Sequence, residues 1–231
     1  MDGVIAMAIY LTGDTHGMLD IGRLTERFEF DDKLSKQDYL IILGDAGILW
    51  NQVDDEDVHR ILENLPVTTL WIDGNHENFD LLEKYPESYW NGGRVHHISE
   101  SIFHLCRGQV FEIEGRTFFT FGGGNSIDKF WRQPGVSWWP QEMPTNFEYE
   151  EGISNLGKNN WQVDYVLTHT CPGSVARQLV TSMHPGEEPL QEYLNHVAER
   201  LGYKEWFFGH WHVDKKVEKY RCLYRDIIKL T

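Results

Sequence analysis

The stretch TTLWIDGNHE, residues 68–77, decides the fold. Its first five residues lack the polar alternation of a half-exposed strand, which predicts a strand buried on both faces. Gly74 then lets the backbone turn sharply, and Asn75, His76 and Glu77 follow at the carboxyl end of the strand. Ligands bind at that edge in α/β sheets, so the stretch predicts an α/β fold with a polar site at one sheet edge.

Four further runs have the same form, a short apolar strand that ends in polar residues. The runs are AMAIYLT (6–12), YLIIL (39–43), YVL (165–167) and WFF (206–208). The residues that follow them are Gly13-Asp14-Thr15-His16, Gly44-Asp45, Thr168-His169 and Gly209-His210-Trp211-His212. Each motif is weak alone, but strand ends that all carry carboxylate, amide or imidazole groups predict one shared site.

Amphipathic segments between the strands predict the covering helices. They are Asp20–Phe28, Asp54–Leu65 with Asp54 as N-cap, and Pro189–Leu201. A hairpin turn at Glu114-Gly115, between Gln109–Ile113 and Arg116–Phe121, predicts the start of a second, antiparallel sheet portion, and 213–228 also alternates as strands do. Residues 122–161 lack clear periodicity, which predicts a long loop that serves as a lid or pocket wall.

The composition is that of an ordinary globular protein, with 231 residues, 41% hydrophobic and 25% charged. No repeat or linker is evident, so we expect a single domain over residues 1–231. The formal net charge of −15 argues against extended nucleic acid and against membranes as partners, because both need basic patches. The amino terminus shows no targeting segment, which favours a cytoplasmic location.

The three cysteines, Cys106, Cys171 and Cys222, are an odd number at wide spacings. They predict reduced thiols, with no disulfide framework and no cysteine-based zinc site. Six histidines lie outside the strand-end motifs, and we expect them at surface or satisfied core positions: His59, His96, His97, His104, His184 and His196.

The strand-end residues have the chemistry of a metal site. Oxygen and imidazole ligands without thiolate suit Mn²⁺, Fe or Zn²⁺ better than Cu(I) or an iron–sulfur cluster. Two carboxylates, one amide and four imidazoles suffice for two ions if one carboxylate bridges them. Two such ions, about 3.5–4 Å apart, activate a water and clamp the attacking and leaving oxygens of a displacement at phosphorus. His76 is then left for proton transfer.

The order of these motifs, D-x-H, G-D, G-N-H-E, a lone H and G-H-x-H between residues 13 and 212, resembles the calcineurin-like metallophosphoesterase superfamily. The resemblance implies a four-layer α/β/β/α sandwich of two mixed sheets and two divalent ions, with Mn or Fe favoured and Zn, Mg or Ni as alternatives. It places Asp14, His16 and His212 on one ion, Asn75, His169 and His210 on the other, and Asp45 between them. It makes His76 the general acid.

One departure from the superfamily pattern narrows the function. Protein phosphatases continue the second motif as G-D-x-x-D-R-G, but this chain has Ile48 and Leu49 where that pattern has Asp and Arg. Ile48 cannot orient the catalytic imidazole, and Leu49 cannot hold phosphate as an arginine fork does. We therefore expect a small phosphoesterase of bacterial or phage type rather than a typical Ser/Thr protein phosphatase.

Residues 122–140 are the candidate substrate region. They combine glycine amides, a guanidinium and aromatic rings, which suits a phosphate that carries a base or sugar. The substrate-binding candidates are Arg132, Asn125 and Trp138, and Arg132 is the candidate for the missing phosphate fork. The aromatic rings could equally form the core of a large loop.

The expected function is metal-dependent hydrolysis of phosphate mono- or diesters, by attack of a metal-bridging hydroxide with His76 as general acid. The expected partner is a small-molecule or nucleotide phosphoester. A nuclease and a protein phosphatase are alternatives within the superfamily, and a non-catalytic scaffold with this fold is an alternative outside enzymes. A scaffold would not need His76. The sequence does not determine the oligomeric state.

Overall fold

The computed structural model describes residues 7–28, 31–180 and 184–230. Within these ranges the strands are β1 Ile9–Thr12, β2 Tyr39–Leu43, β3 Thr68–Ile72, β4 Glu87–Trp90, β5 Gly93–Ser99, β6 Ile102–Leu105, β7 Gln109–Ile113, β8 Arg116–Phe121, β9 Tyr165–Thr168, β10 Glu205–Phe208, β11 Lys215–Val217, β12 Tyr220–Cys222 and β13 Ile228–Leu230. The α-helices are α1 Gly22–Phe28, α2 Gln52–Asn64, α3 Phe79–Leu82, α4 Asn146–Lys158, α5 Gly173–Leu179 and α6 Glu188–Arg200. None of the described helices combines the length and apolar character needed to cross a bilayer.

The strands form two mixed sheets. The first has the order β13-β1-β2-β3-β6-β5-β4, with β1, β2, β3 and β6 parallel. The second has the order β11-β12-β10-β9-β8-β7, with β12, β10, β9 and β8 parallel. The five strands predicted from apolar runs are present, three in the first sheet and two in the second. The first of these strands begins at Ile9 rather than at Ala6, which lies outside the described residues.

Three apolar layers hold the sheets and helices together. Alternate residues of the central strands, such as Ile9 and Leu11 of β1, face the space between the sheets and meet Phe207 of β10. Tyr10 faces the other way and packs with Phe28 of α1. Helices α4, α5 and α6 cover the outer face of the second sheet. The four-layer α/β/β/α sandwich is therefore confirmed, and burial of both strand faces explains the uninterrupted apolar runs.

The structure corrects the predicted start of the second helix. Asp54 is not the N-cap, because α2 begins at Gln52 and Asn51 Oδ1 accepts a hydrogen bond from the main-chain N–H of Asp54 at 3.0 Å. Asn51 therefore satisfies a free N–H of the first turn, as an N-cap does. The helix predicted at Pro189–Leu201 is confirmed within one residue of each end.

The prediction of a structureless loop over residues 122–161 is wrong in its second half. Helix α4 begins after Thr145, which forms a capping box with Glu148. This Thr-x-x-Glu signature precedes apolar residues at helical spacing and was readable from the sequence. The first half contains short 3₁₀ turns at Lys129–Trp131 and Pro140–Glu142. The hairpin of β7 and β8 and the strands after residue 213 are confirmed.

Candidate functional site

The carboxyl ends of the parallel strands in both sheets meet at one side of the molecule. The residues that follow β1, β2 and β3 come from the first sheet, and those that follow β9 and β10 come from the second. The loops bring together the seven residues that we call the metal centre: Asp14, His16, Asp45, Asn75, His169, His210 and His212. Because each sheet supplies part of the set, neither sheet forms the centre alone.

One half of the metal centre contains Asp14, His16 and His212. The nitrogen Nε2 of His212 lies 3.7 Å from Asp14 Oδ1. The centroids of the His16 and His212 rings are 5.1 Å apart. The main-chain N–H of His210 donates to both carboxylate oxygens of Asp14 at 3.0 Å, which fixes the orientation of this buried side chain. These three residues could each offer one ligand atom to the same ion.

The other half contains Asn75, His169 and His210. His169 Nδ1 lies 2.8 Å from the carbonyl oxygen of Leu43, so Nδ1 carries the ring hydrogen. Its Nε2 then faces two ligand atoms, Asn75 Oδ1 at 3.1 Å and His210 Nδ1 at 3.2 Å. Burial lowers the pKa of His169 to about 4, so this Nε2 is unprotonated at neutral pH.

Asp45 contacts both halves. Its Oδ2 lies 3.6 Å from His16 Nε2, whereas its Oδ1 lies 3.4 Å from His169 Nε2. Asn75 Oδ1 and Asp45 Oδ1 thus converge on the unprotonated His169 Nε2 without a hydrogen to share. Burial would lower the pKa of His210, but the charge and hydrogen bond of Glu187 raise it to about 9, so His210 Nδ1 loses a proton when it binds an ion. Ligands about 2.1 Å from one ion and at right angles to each other are about 3 Å apart, so the spacing fits a shared cation. The residues present therefore fit the metal ions that the motif pattern implies.

The charges of the buried carboxylates lead to the same conclusion. Burial raises the pKa of Asp14 to about 8, and the negative charge of Asp45 adds to the shift. Burial also opposes ionisation of Asp45, but His169 and His16 hold its pKa well below the usual value. Asp14 and Asp45 each have a carboxylate oxygen within 4.8 Å of the other. Ionising both buried groups at this distance costs much free energy unless positive charge lies between them.

The backbone of the metal centre is strained. Asp14, His16, Asp45, His210 and His212 all have φ between 47° and 65°, the left-handed region that non-glycine residues rarely adopt. The glycines that precede two of the ligands allow close packing. A Cβ on Gly44 would overlap the His169 ring, and one on Gly74 would overlap Asp45. The strand ends therefore pack closely enough to bring ligands from both sheets together.

His76 lies beside the metal centre and is held by two contacts. Its main-chain N–H donates to Asp45 Oδ1 at 2.7 Å. Arg132 Nη2 donates to the ring at Nδ1 over 2.6 Å, so the hydrogen of the neutral imidazole is on Nε2. Burial lowers the pKa of His76, and the charge of Arg132 acts in the same direction. Arg132 thus contacts the His76 ring directly, whereas Ile48 is buried in the apolar core and has no polar group to orient it.

The three substrate-binding candidates are placed differently. Arg132 faces the site but is also bound by Asp128 at 3.0 Å and by the carbonyl oxygen of Ser137 at 3.0 Å. Asn125 uses its side chain to contact Pro185 O and Lys129 Nζ. Trp138 packs against the Lys129 ammonium, 4.9 Å from the ring centroid, and lies outside the cavities beside the metal centre.

Two cavities flank the metal centre, and His76 is the one described residue that lines both. The apolar cavity, about 450 Å³, is lined by His16, Gly17, Met18, Leu19, Gly47, Trp50, Asp54, Val58, His76 and Arg132. The polar cavity, about 400 Å³, is lined by Asp45, Asn75, His76, Asn125, Ser126, Ile127, Asp128, Val180, His184, His210, Trp211 and His212.

Sequence reasoning missed Glu187, which contacts His210 of the metal centre. Its buried carboxylate accepts hydrogen bonds from Thr170 Oγ1 at 2.9 Å and Gln191 Nε2 at 2.8 Å, and its Oε1 lies 2.9 Å from His210 Nε2. Burial would raise the pKa of Glu187, but the charge and hydrogen bond of His210 lower it to about 2. A carboxylate on Nε2 orients the His210 ring so that Nδ1 can bind metal once its proton is lost. No spacing in the sequence marks this residue.

Comparisons with known proteins bear on the family and the fold. A family model described as calcineurin-like phosphoesterase matches residues 7–214. A search of curated proteins gives no significant match. Phosphopantetheinyl hydrolase from Mycobacterium tuberculosis is similar in structure over 95% of this chain and 88% of its own, at 16% identity and a TM-score of 0.47.

A chain described as a 5′-nucleotidase from Staphylococcus aureus is similar over 95% of this chain, at 16% identity and a TM-score of 0.51. The match covers 49% of that longer chain, so this chain spans about half its length. At this identity the likeness shows a shared fold.

Proposed function

The chain belongs to the calcineurin-like phosphoesterase family, and from that premise we propose that it hydrolyses phosphate mono- or diesters of small molecules or nucleotides. The family implies a metal-dependent phosphoesterase. The observation that carries the proposal is the convergence of Asn75 Oδ1 and Asp45 Oδ1 on the unprotonated His169 Nε2, with Asp45 contacting both halves of the metal centre.

Asp14, His16 and His212 would hold one divalent ion, and Asn75, His169 and His210 would hold the other, with Asp45 shared. Bound there, two ions supply Lewis acidity and a strong nucleophile from water. Nitrogen and oxygen ligands without thiolate favour Mn²⁺ or Fe, with Zn²⁺, Mg²⁺ and Ni²⁺ as alternatives. Glu187 keeps His210 in the tautomer that this role requires.

His76 is the proposed general acid, and its contact with Arg132 shapes how it acts. An imidazole gives up a proton readily when both of its nitrogens are protonated. Arg132 cannot donate to Nδ1 of that form, so the guanidinium must leave Nδ1 before His76 can act as an acid. A phosphate oxygen is a stronger acceptor for a guanidinium than a neutral imidazole is. Substrate binding would therefore draw Arg132 to the phosphate and free Nδ1.

The leaving group of the substrate is best placed in the apolar cavity. His76 lines that cavity, and the proton from its Nε2 must reach the leaving oxygen. Met18 and Leu19 offer exposed apolar surface there, so an aryl or alkyl leaving group would bury area at about 25 cal/mol per Å².

Metal reconstitution and activity test this proposal together. Protein treated with chelator and reconstituted with Mn²⁺ should bind two ions per chain and hydrolyse p-nitrophenyl phosphate or its bis-ester. Asp45→Asn should lose the shared ligand, and with it both ions and activity, whereas the exposed Asp57→Asn should keep them. A ceiling of one ion, or activity that survives chelation, would overturn the proposal.

The positions of two residues and a wider set of substrates separate the alternative functions. Ile48 and Leu49 are buried in the apolar core, so neither can reach a phosphate as the protein-phosphatase residues would. Cleavage of single-stranded DNA with Mn²⁺ would indicate a nuclease, which the net charge of −15 disfavours. Ion binding without hydrolysis of any mono-, di- or cyclic phosphoester would indicate a scaffold.

A further inference from the structure

A second cluster of potential metal ligands lies away from the metal centre, on the first sheet. His96 of β5 is paired in register with His104 of β6, and Cys106 lies two residues beyond His104, so all three side chains share one face. One ligand atom from each lies within 4.8 Å of the other two. The cavity of about 520 Å³ that they line shares no lining residue with the two cavities at the metal centre.

Both imidazoles of this cluster are held in the tautomer that a metal ligand needs. His96 Nδ1 lies 2.7 Å from the carbonyl oxygen of Tyr85, so Nδ1 carries the hydrogen and Nε2 has a free lone pair. His104 Nε2 lies 3.2 Å from Asp73 Oδ1, which leaves the lone pair on Nδ1. Metal-binding histidines commonly donate their second N–H to a carbonyl or carboxylate in this way.

His104 Nδ1 supplies an independent observation. This atom is buried and has no hydrogen-bond partner, although burying a polar atom without a partner costs about 1–3 kcal/mol. The residue is 4% exposed, and the ring is packed against Trp71 at 4.6 Å between centroids. An ion bound to Nδ1 would satisfy the atom.

The charges around the cluster favour a cation. Arg94 is paired with Glu87 and Glu151, and Arg107 with Asp73 and Glu148, so four carboxylates surround two guanidinium groups. The surroundings are therefore negative by two charges before any ion binds. Binding to Cys106 requires loss of the thiol proton, and a nearby dication promotes that loss.

We propose that His96, His104 and Cys106 form a zinc site with three protein ligands and a fourth position open to the cavity. Two imidazoles and a thiolate suit Zn²⁺, whose bonds are about 2.0–2.1 Å to nitrogen and about 2.3 Å to sulfur. The site differs from the metal centre in containing a thiolate. It also revises the expectation, drawn from cysteine spacing, that the chain has no cysteine-containing zinc site.

Cobalt substitution tests the proposal because Co²⁺ bound to a thiolate gives a sulfur-to-metal charge-transfer band, which the metal centre cannot give. Apo protein titrated with Co²⁺ should develop that band. Cys106→Ser should abolish it, whereas Cys171→Ser, a matched change at another buried cysteine, should leave it. Asp45→Asn should also retain the band, so failure of the metal centre is distinguishable from failure of this site.

Ion counting gives the second measurement. Protein saturated with Zn²⁺ should hold one ion per chain more than His96→Ala does, three against two if the metal centre is filled, and the variant should keep its circular dichroism spectrum. His96→Gln serves as the milder variant if the alanine variant unfolds. Equal ion counts in the wild-type chain and in His96→Ala, no charge-transfer band, or a band that survives Cys106→Ser would each overturn the proposal.

Discussion

The two cavities beside the metal centre differ in the interactions and the exposure of the side chains that line them. In the polar cavity three polar side chains are engaged with other protein groups, and Ile127 is the exposed apolar residue: Ser126 accepts from Asn75, Asn125 contacts Pro185, and Asp128 pairs with Arg132. In the apolar cavity Met18 and Leu19 are 50% and 84% exposed and have surface to bury. On this basis we propose that the polar side holds the ligands in place and that the apolar side receives the leaving group of the substrate. Variants on each side test this distinction.

Removing the residue that lines both cavities should have the largest effect. His76→Asn should slow hydrolysis of alkyl phosphates by about 10²–10⁴-fold, the usual contribution of a general acid. p-Nitrophenyl esters should be spared, because their leaving group departs without a proton. The kinetics of both substrates and the bound metal are measured together. Loss of metal, or equal slowing of both substrates, would contradict the acid role.

On the polar side, Glu187→Gln should weaken metal binding by about 10–100-fold, as expected when the partner of a metal-binding histidine is changed. The variant keeps the shape of the side chain but removes the charge that sets the tautomer of His210. Competition with a calibrated chelator measures the affinity. Glu188→Gln, at the exposed neighbouring position, is the control. Equal metal affinities of Glu187→Gln and Glu188→Gln would show that the charge of Glu187 does not contribute to metal binding.

Arg132→Ala, at the apolar side, should lower kcat/KM by about tenfold or more, the loss expected for one charge-assisted contact to phosphate. The alanine variant also removes the donor to His76 Nδ1. The ratio of its rates on alkyl and p-nitrophenyl phosphates should therefore differ from that of the wild-type chain. Arg132→Lys should recover part of the loss. Arg60→Ala, which removes an exposed arginine paired with Asp57, should have no effect. Unchanged kinetics for Arg132→Ala would indicate that residues 122–140 support the fold and do not bind substrate.

The smallest expected effect concerns the apolar wall itself. Leu19→Ser should lower kcat/KM for aryl phosphates by about three- to tenfold, the range for losing part of one hydrophobic contact. Methyl phosphate should be hydrolysed as before, since it does not reach the wall. Tyr89→Ser, which changes an exposed apolar residue on β4, is the control. An equal loss with both substrates would place the leaving group elsewhere.

Local signals account for the parts of the fold that were predicted. Strands β2, β3, β7 and β8 have the predicted bounds, because an apolar run or a Glu-Gly turn is a property of adjacent residues. The start of α2 was misplaced because two polar residues, Asn51 and Asp54, compete for the cap. Helix α4 was missed, although its capping box lies within four consecutive residues.

The sequence by itself determined which residues follow the strand ends, and hence the family and the chemistry of the metal centre, because each motif lies within a few neighbouring residues. Tertiary structure alone decided that three strand ends come from one sheet and two from the other. It also decided the contact of Arg132 with His76, 56 residues apart, and the pairing of His96 with His104 across two strands. Contacts between distant residues depend on strand order and loop paths, which no local pattern specifies.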